Sequence, residues 1–232
     1  MTGQRMAYTE EMAALAAAAL EGAHPRVVLQ WAVETFGDRF CVTSSMGDAV
    51  LAHLAAGVRA GIDVVFLDTG YHFPQTLETR DRIAAELPVH VVNVEPERTV
   101  GEQNRDHGPQ LYARDPDLCC ALRKVRPLDQ ALAGYDAWAS GIRRDESPTR
   151  ADIRVVDYDA KRNMVKISPI AAWTQQQVDS YIEENSVLIN PLFFDGYTSI
   201  GCEPCTRRAL PGEDPRAGRW AGSAKTECGL HT

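Results

Sequence analysis

The stretch RFCVTSSMGDAVLAHLAAGVRAGIDVVFLDTG, residues 39–70, decides the fold. RFCVTSS is a short apolar run entering a turn of small residues, and GDAVLAHLAAGVRAG has the length and apolar content of a helix. IDVVFLDTG is a second β-rich run that ends in Asp, Thr and Gly. Two strands separated by one helix form a crossover unit, which joins parallel strands in the right-handed sense. Working outward, residues 26–36 have helical apolar spacing and a further helix is expected near 74–86. VHVVNVE (89–95) supplies a third strand and YDAWASGIRR (135–144) a fourth. IRVVDYD and MVKISPI (153–159 and 164–170) pattern as a hairpin across AKRN, and WTQQQVDSYIEENSV (173–187) as an amphipathic helix. The pattern predicts an α/β protein with a doubly wound parallel sheet and helices on both faces.

The 232 residues, 44% hydrophobic and 24% charged, suffice for one buried core of an ordinary soluble protein. No apolar run approaches the roughly 20 residues that span a bilayer. AALAAAAL (13–20) resembles a signal-peptide core, but Glu10, Glu11 and Glu21 flank it, so an N-terminal helix is expected instead. The net charge of −8 argues against a nucleic-acid or anionic-membrane partner. Its distribution says more: residues 1–118 hold 9 basic against 17 acidic groups, and residues 119–232 hold 15 against 15. Basic groups thus gather in the second half, which suits a small anionic ligand. From Thr206 onward apolar periodicity stops, and Gly212, Gly218, Gly222 and Gly229 with Pro211 and Pro215 mark an irregular, mobile tail. The expected division is a body over 1–205 and a tail over 206–232.

In doubly wound sheets, ligands sit beyond the carboxyl ends of the strands. TSSMGD, LDTGYHFP and ASGIRRDESPTR all fall at such ends. Taken singly, each is ordinary turn chemistry; together they outline a nucleotide crevice.

Six cysteines in a chain of intracellular character point to metal or catalysis before disulfides. Cys41 lies within a strand and reads as a small buried hydrophobe. In LCCALRKVRPL (118–128), Cys119 adjoins Cys120. A disulfide between neighbours is strained, because bridged Cα atoms want to be roughly 5.5–6 Å apart and adjacent ones lie near 3.8 Å. GCEPC adds Cys202 and Cys205. Alone, that C-x-x-C turn suits a redox dithiol or a zinc knuckle; with the adjacent pair it suits a larger object with several metal corners, a 4Fe–4S cluster. Cys228 stands apart in AKTECGLHT. Lys225 and His231 favour its thiolate and Glu227 opposes it. A Gly-rich coil from Cys205 to Cys228 would span roughly 25–29 Å, enough to bring a thiol over a bound substrate and withdraw it.

LCCALRKVRPL, SGIRRDES, SIGCEPCT and KTECGLH, with LDTGYHFPQTLE upstream, resemble the thioredoxin-dependent assimilatory sulfonucleotide reductases. The paired cysteines resemble the branch acting on adenylyl sulfate (APS), since relatives that reduce its 3′-phosphorylated form (PAPS) usually lack the four cluster cysteines. The resemblance runs from about Phe40 to the end of the chain. It implies an adenine-nucleotide α-hydrolase-like fold, a 4Fe–4S cluster on Cys119, Cys120, Cys202 and Cys205, and Cys228 as nucleophile. It further implies Lys124 between cluster and substrate, and Arg216, Arg219 and His231 facing the anionic end. Ser44, Ser45, Gly141 and Arg150 fall where the family binds the nucleotide. Many relatives carry a G-A-E-D turn where this chain has SSMGDAV.

The expected activity is therefore reduction of APS to sulfite and AMP by reduced thioredoxin, through an S-sulfocysteine on Cys228, in the cytoplasm during sulfate assimilation. A homo-oligomer is left open by the sequence. Three other readings compete: PAPS reduction, a thiolation enzyme of the ATP-pyrophosphatase type, and a metal-stabilised nucleotide sensor. TSSMGDAV lacks the glycine pair of the S-G-G-x-D-S loop that the second would need.

Overall fold

The structure is a computed structural model that describes residues 8–221, 223 and 225–230. Six strands form one sheet: β1 (Phe40–Thr43), β2 (Ile62–Leu67), β3 (Val89–Val94), β4 (Ala137–Ser140), β5 (Val156–Asp159) and β6 (Met164–Ile167). Their order is β3-β2-β1-β4-β6-β5, parallel throughout except for β5, which closes one edge as the antiparallel arm of the β5–β6 hairpin. The chain runs outward from β1 through β2 to β3 and then returns to β4 on the other side of β1. A topological switch point therefore lies between β1 and β4, at the ends carrying Thr43 and Ser140.

The central strands β1, β2 and β4 are short, apolar and two-sided because both faces are covered. Phe40 and Val42 of β1, Ile62, Val64 and Phe66 of β2, and Ala137 and Ala139 of β4 point into one core. Helices α1 (Glu10–Leu20), α2 (Pro25–Phe36), α3 (Val50–Ala56), α4 (Pro74–Glu86) and α9 (Gln175–Asn185) contribute to that core through residues such as Leu20, Leu29, Leu54, Ile83 and Val178. The intervening Cys41, Val65 and Trp138 point the opposite way, against Leu128 and Leu132 of α8 (Arg126–Leu132). The fold is doubly wound, and Cys41 is the buried hydrophobe its strand position implies. Among the described residues, no helix is long and apolar enough to cross a membrane.

Two features depart from the sequence pattern. The helix expected over 47–61 is only Val50–Ala56, because Asp48 accepts a hydrogen bond from the Val50 amide (2.9 Å) and Ala49 donates to the Leu188 carbonyl. Buried Asn190 fixes the preceding turn by donating to the Met46 carbonyl and to Thr76. Second, residues between β3 and β4 form α5 (Val100–His107), α6 (Leu111–Arg114), α7 (Pro116–Cys120) and α8, helices that the strand–helix alternation does not announce.

Candidate active site

The paired cysteines close α7. Asp115 starts this helix by accepting from the Leu118 amide (2.9 Å), with Pro116 in its first turn. Residues one apart on a helix diverge by about 100°, so the two buried thiols leave the backbone in different directions. The next five residues, Ala121–Val125, widen into a π-helical turn before α8. Such turns disturb the regular side-chain spacing and occur often at functional sites. Here the turn buries Arg123 and Lys124.

The C-x-x-C turn reaches the same place from the other side. Thr69, buried after β2, exchanges a hydrogen bond with the Cys202 sulfur (3.3 Å), and the Glu203 amide donates to the Tyr71 carbonyl (2.7 Å). His72 pairs with Cys202 in an isolated bridge. LDTGYHFP, expected to line the nucleotide crevice, thus braces the cysteine turn. Arg123 joins the two halves: it donates to the carbonyls of Thr69 and Arg98 and to Gln103 Oε1, and lies over the Tyr71 ring.

Electrostatics report the convergence. Burial pushes the Cys119 thiol up to about 12, with the Cys120, Cys202 and Cys205 sulfurs adding to it. Burial likewise raises Cys205 to about 11, with Cys202 and Cys120 adding and Lys124 and Arg219 opposing. Burial also raises Cys120, against the pull of Lys124 and Lys225. Burial opposes the charge on Lys124, yet Cys202, Cys228 and Cys120 outweigh it and raise its pKa. Lys124 is therefore a buried ammonium surrounded by sulfur.

Among the described residues, no group of three or more His, Cys, Asp or Glu side chains stands as a site for a metal ion. The chemistry of the donor set nevertheless fits a cluster. Four convergent sulfurs form a soft set, and thiols this hard to ionise alone become ligands only against a metal's positive charge.

The tail folds back over this assembly. Thr206 bridges Arg219, and the Arg207 amide donates to the Gly218 carbonyl (2.9 Å). A Cβ on Gly218 would lie 2.1 Å from the Arg207 carbonyl oxygen, so that position requires glycine. Arg219 lies over Trp220 and donates to Ser199 and to the Ile200 carbonyl. Lys225 pairs with Asp117 of α7. Glu227 accepts both the Nε and Nη2 of Arg150 (2.9 Å each) and Nη2 of Arg216 (3.2 Å). Cys228 follows, half-buried, close enough to Cys120 and Lys124 to shift both.

Of the residues singled out in the sequence, Cys119, Cys120, Cys202, Cys205, Lys124, Arg219 and Cys228 come together. Arg150 and Arg216 meet through Glu227. Ser44 follows β1 and accepts from the Met46 amide (3.1 Å); Ser45, exposed, comes next, and Gly141 follows β4, so these three border the switch point. His231 lies outside the described residues. Thr69, Arg123 and Trp220 were not foreseen. Only the basic run RKVR marked Arg123, and nothing in a single sequence pairs Glu227 with Arg150 across 77 positions.

A parallel sheet with its switch point between β1 and β4, flanked there by the SSMGD and SGIRR turns, defines an adenine-nucleotide α-hydrolase-like protein. Candida glabrata FMN adenylyltransferase bound to FMN and an ATP analogue shares this fold (TM-score 0.59, 12% identity, 89% of this chain and 69% of that one). The phosphoadenosine phosphosulfate reductase domain matches residues 39–208, and the chain belongs to that family. An adenosine 5′-phosphosulfate reductase of Streptomyces coelicolor is 63% identical over 226 residues, covering 96% of both chains. One from Mycobacterium tuberculosis is 50% identical over 252 residues, covering all of this chain and 99% of the relative. The crystal structure of phosphoadenylyl-sulfate reductase from Candida auris, a phosphate complex, superimposes with a TM-score of 0.75 at 29% identity, over 88% of this chain and all of that one.

Proposed function

We propose that this chain reduces adenylyl sulfate to sulfite and AMP in sulfate assimilation, with Cys228 as the nucleophile. The observation that supports the mechanism is the half-buried Cys228, near enough to the buried Lys124 to favour its charge.

The Cys228 thiolate attacks the sulfate sulfur, a sulfur–sulfur bond forms, the sulfur–oxygen bond to phosphate breaks, and AMP leaves with that oxygen. An anion attacking an anion needs its repulsion cancelled. Lys124 does this as a buried cation, and Arg216 and Arg219 add guanidinium donors suited to oxyanions. Ser44, Ser45, Gly141 and Arg150 are assigned to the nucleotide, and His231 to orienting the thiolate or the sulfate. One thiolate of reduced thioredoxin then attacks the Cys228 sulfur and releases sulfite. Its second thiol resolves the mixed disulfide, so thioredoxin is oxidised by two electrons and Cys228 returns to the thiol. The 206–232 tail is taken to open for this second step.

Cys119, Cys120, Cys202 and Cys205 would hold a 4Fe–4S cluster, which when bound supplies a cross-link between α7 and the 202–205 turn and a fixed charge near the substrate. All six described cysteines are free of disulfides, in keeping with a reducing cytoplasm.

Sulfite production from APS and from PAPS, by wild-type protein and Cys228→Ser with reduced thioredoxin, tests this reading. Turnover on APS in the wild type and none in the variant is expected. Preference for PAPS would move the chain to the other branch, and sulfite from Cys228→Ser would refute the nucleophile.

A further inference from the structure

We propose that Glu227 is the positioning residue that seats Cys228, with Leu230 as its apolar counterpart; this rests on Cys228 being the nucleophile. The two anchors flank the cysteine. On one side, Glu227 fills the Nε/Nη2 edge of Arg150 with both carboxylate oxygens and takes a further bond from Arg216, while Thr149 donates to it at 3.4 Å. The three charged side chains are 11%, 16% and 21% exposed for Arg150, Arg216 and Glu227, a partly dry setting in which charge-assisted bonds count for more than on a surface. On the other side, Leu230 packs against the core around Leu128, Leu132, Trp138 and Met164, and its carbonyl accepts from Arg162 at 3.5 Å.

Cys228 lies one residue from the first anchor and two from the second, and adjacent Cα atoms are only about 3.8 Å apart. Its sulfur is thereby confined beside Lys124 and Cys120. The ionic anchor is also a latch. Arg216 belongs to the tail and Arg150 to the body, and Arg150 repels Arg216; Glu227 bonds to both, while Glu146 pairs with Arg150 and adds attraction for Arg216 without a bond to it. Neutralising Glu227 removes the carboxylate bonded to both guanidiniums, leaves Arg150 paired with Glu146 on the body, and should release this part of the tail. Lys225, tied to Asp117, forms a separate tether upstream that the change does not touch.

The test is alkylation of Cys228 by iodoacetamide in substrate-free protein, followed across pH by peptide mass spectrometry. Removing a carboxylate beside a thiol moves the midpoint of that profile, whereas unseating the thiol raises the plateau. Glu227→Gln is expected to raise the plateau about tenfold, with Glu227→Asp intermediate. Leu230→Ala, which alters no charge, should raise it likewise. In single turnover with saturating adenylyl sulfate, Glu227→Gln should form the Cys228 adduct about tenfold more slowly. A plateau unchanged in both Glu227→Gln and Leu230→Ala overturns the proposal. A wild type that never forms the adduct overturns the reductase reading instead and leaves the alkylation comparison standing.

Discussion

Arg123 concentrates the cost and the gain of this site in one side chain. It is 4% exposed, and burial lowers its pKa, so the charge is held there by geometry. Its guanidinium joins the loop after β2, the start of α5 and the π-helical turn through three oxygen acceptors. Replacement by Ala orphans those acceptors, and a loss of about 3 kcal/mol is expected, equivalent to a fall of about 6–12 °C in Tm for a domain of this size. Differential scanning calorimetry checks it. Lys restores the charge but not the fork, so Arg123→Lys should recover less than half of the loss. Single residues were legible in the sequence only where their type is rare: the six cysteines stood out, and five of them converge. Arg123 was one basic residue among several, and Glu227 read as a charge disfavouring the thiolate. Its true partners, Arg150 and Arg216, neutralise it, and that relation exists only after folding.

At the scale of elements, β1 and β2 were readable because each is a short apolar run buried on both faces, the edge strand β3 because four valines dominate it, and α2 and α9 because their apolar spacing has helical period. Helices α5 to α7 bury few residues each, Gln103, Leu111 and the two cysteines, so no stripe betrays them. What did mark them was capping: Thr99 and Glu102 form a capping box at α5, and Asp115 with Pro116 opens α7. Gly218 shows how tightly the tail element is built. Because its Cα faces the Arg207 carbonyl with no room for a side chain, Gly218→Ala must part the Thr206–Arg219 pairing. Arg216 and Arg219, on either side, would shift with it. Adduct formation with adenylyl sulfate should fall by at least about tenfold while the far-UV circular dichroism of the body is unchanged; a variant with wild-type rates would show that the tail packing is incidental.

Across the whole molecule, the sheet and the tail do separate work. The sheet fixes a switch point between β1 and β4, and the loop after β2 braces the 202–205 turn, whose cysteines act electrostatically on those of α7. The tail, which carries little periodicity of its own, is tied back by ion pairs and by Leu230, and brings Cys228 near enough to Cys120 and Lys124 to act on both. The charge asymmetry of the sequence fits this plan: the excess of acid lies in residues 1–118, and the cations gather where the anionic substrate is proposed to react. Everything depends on a thiol from the far end of the chain accepting a sulfonate group. The most direct measurement is intact-mass analysis, with peptide mapping, of the protein mixed with adenylyl sulfate and no dithiol donor. The account predicts a gain of one SO3 group, located on Cys228 and released as sulfite when reduced thioredoxin is added; no gain, or a gain on another residue, would contradict it.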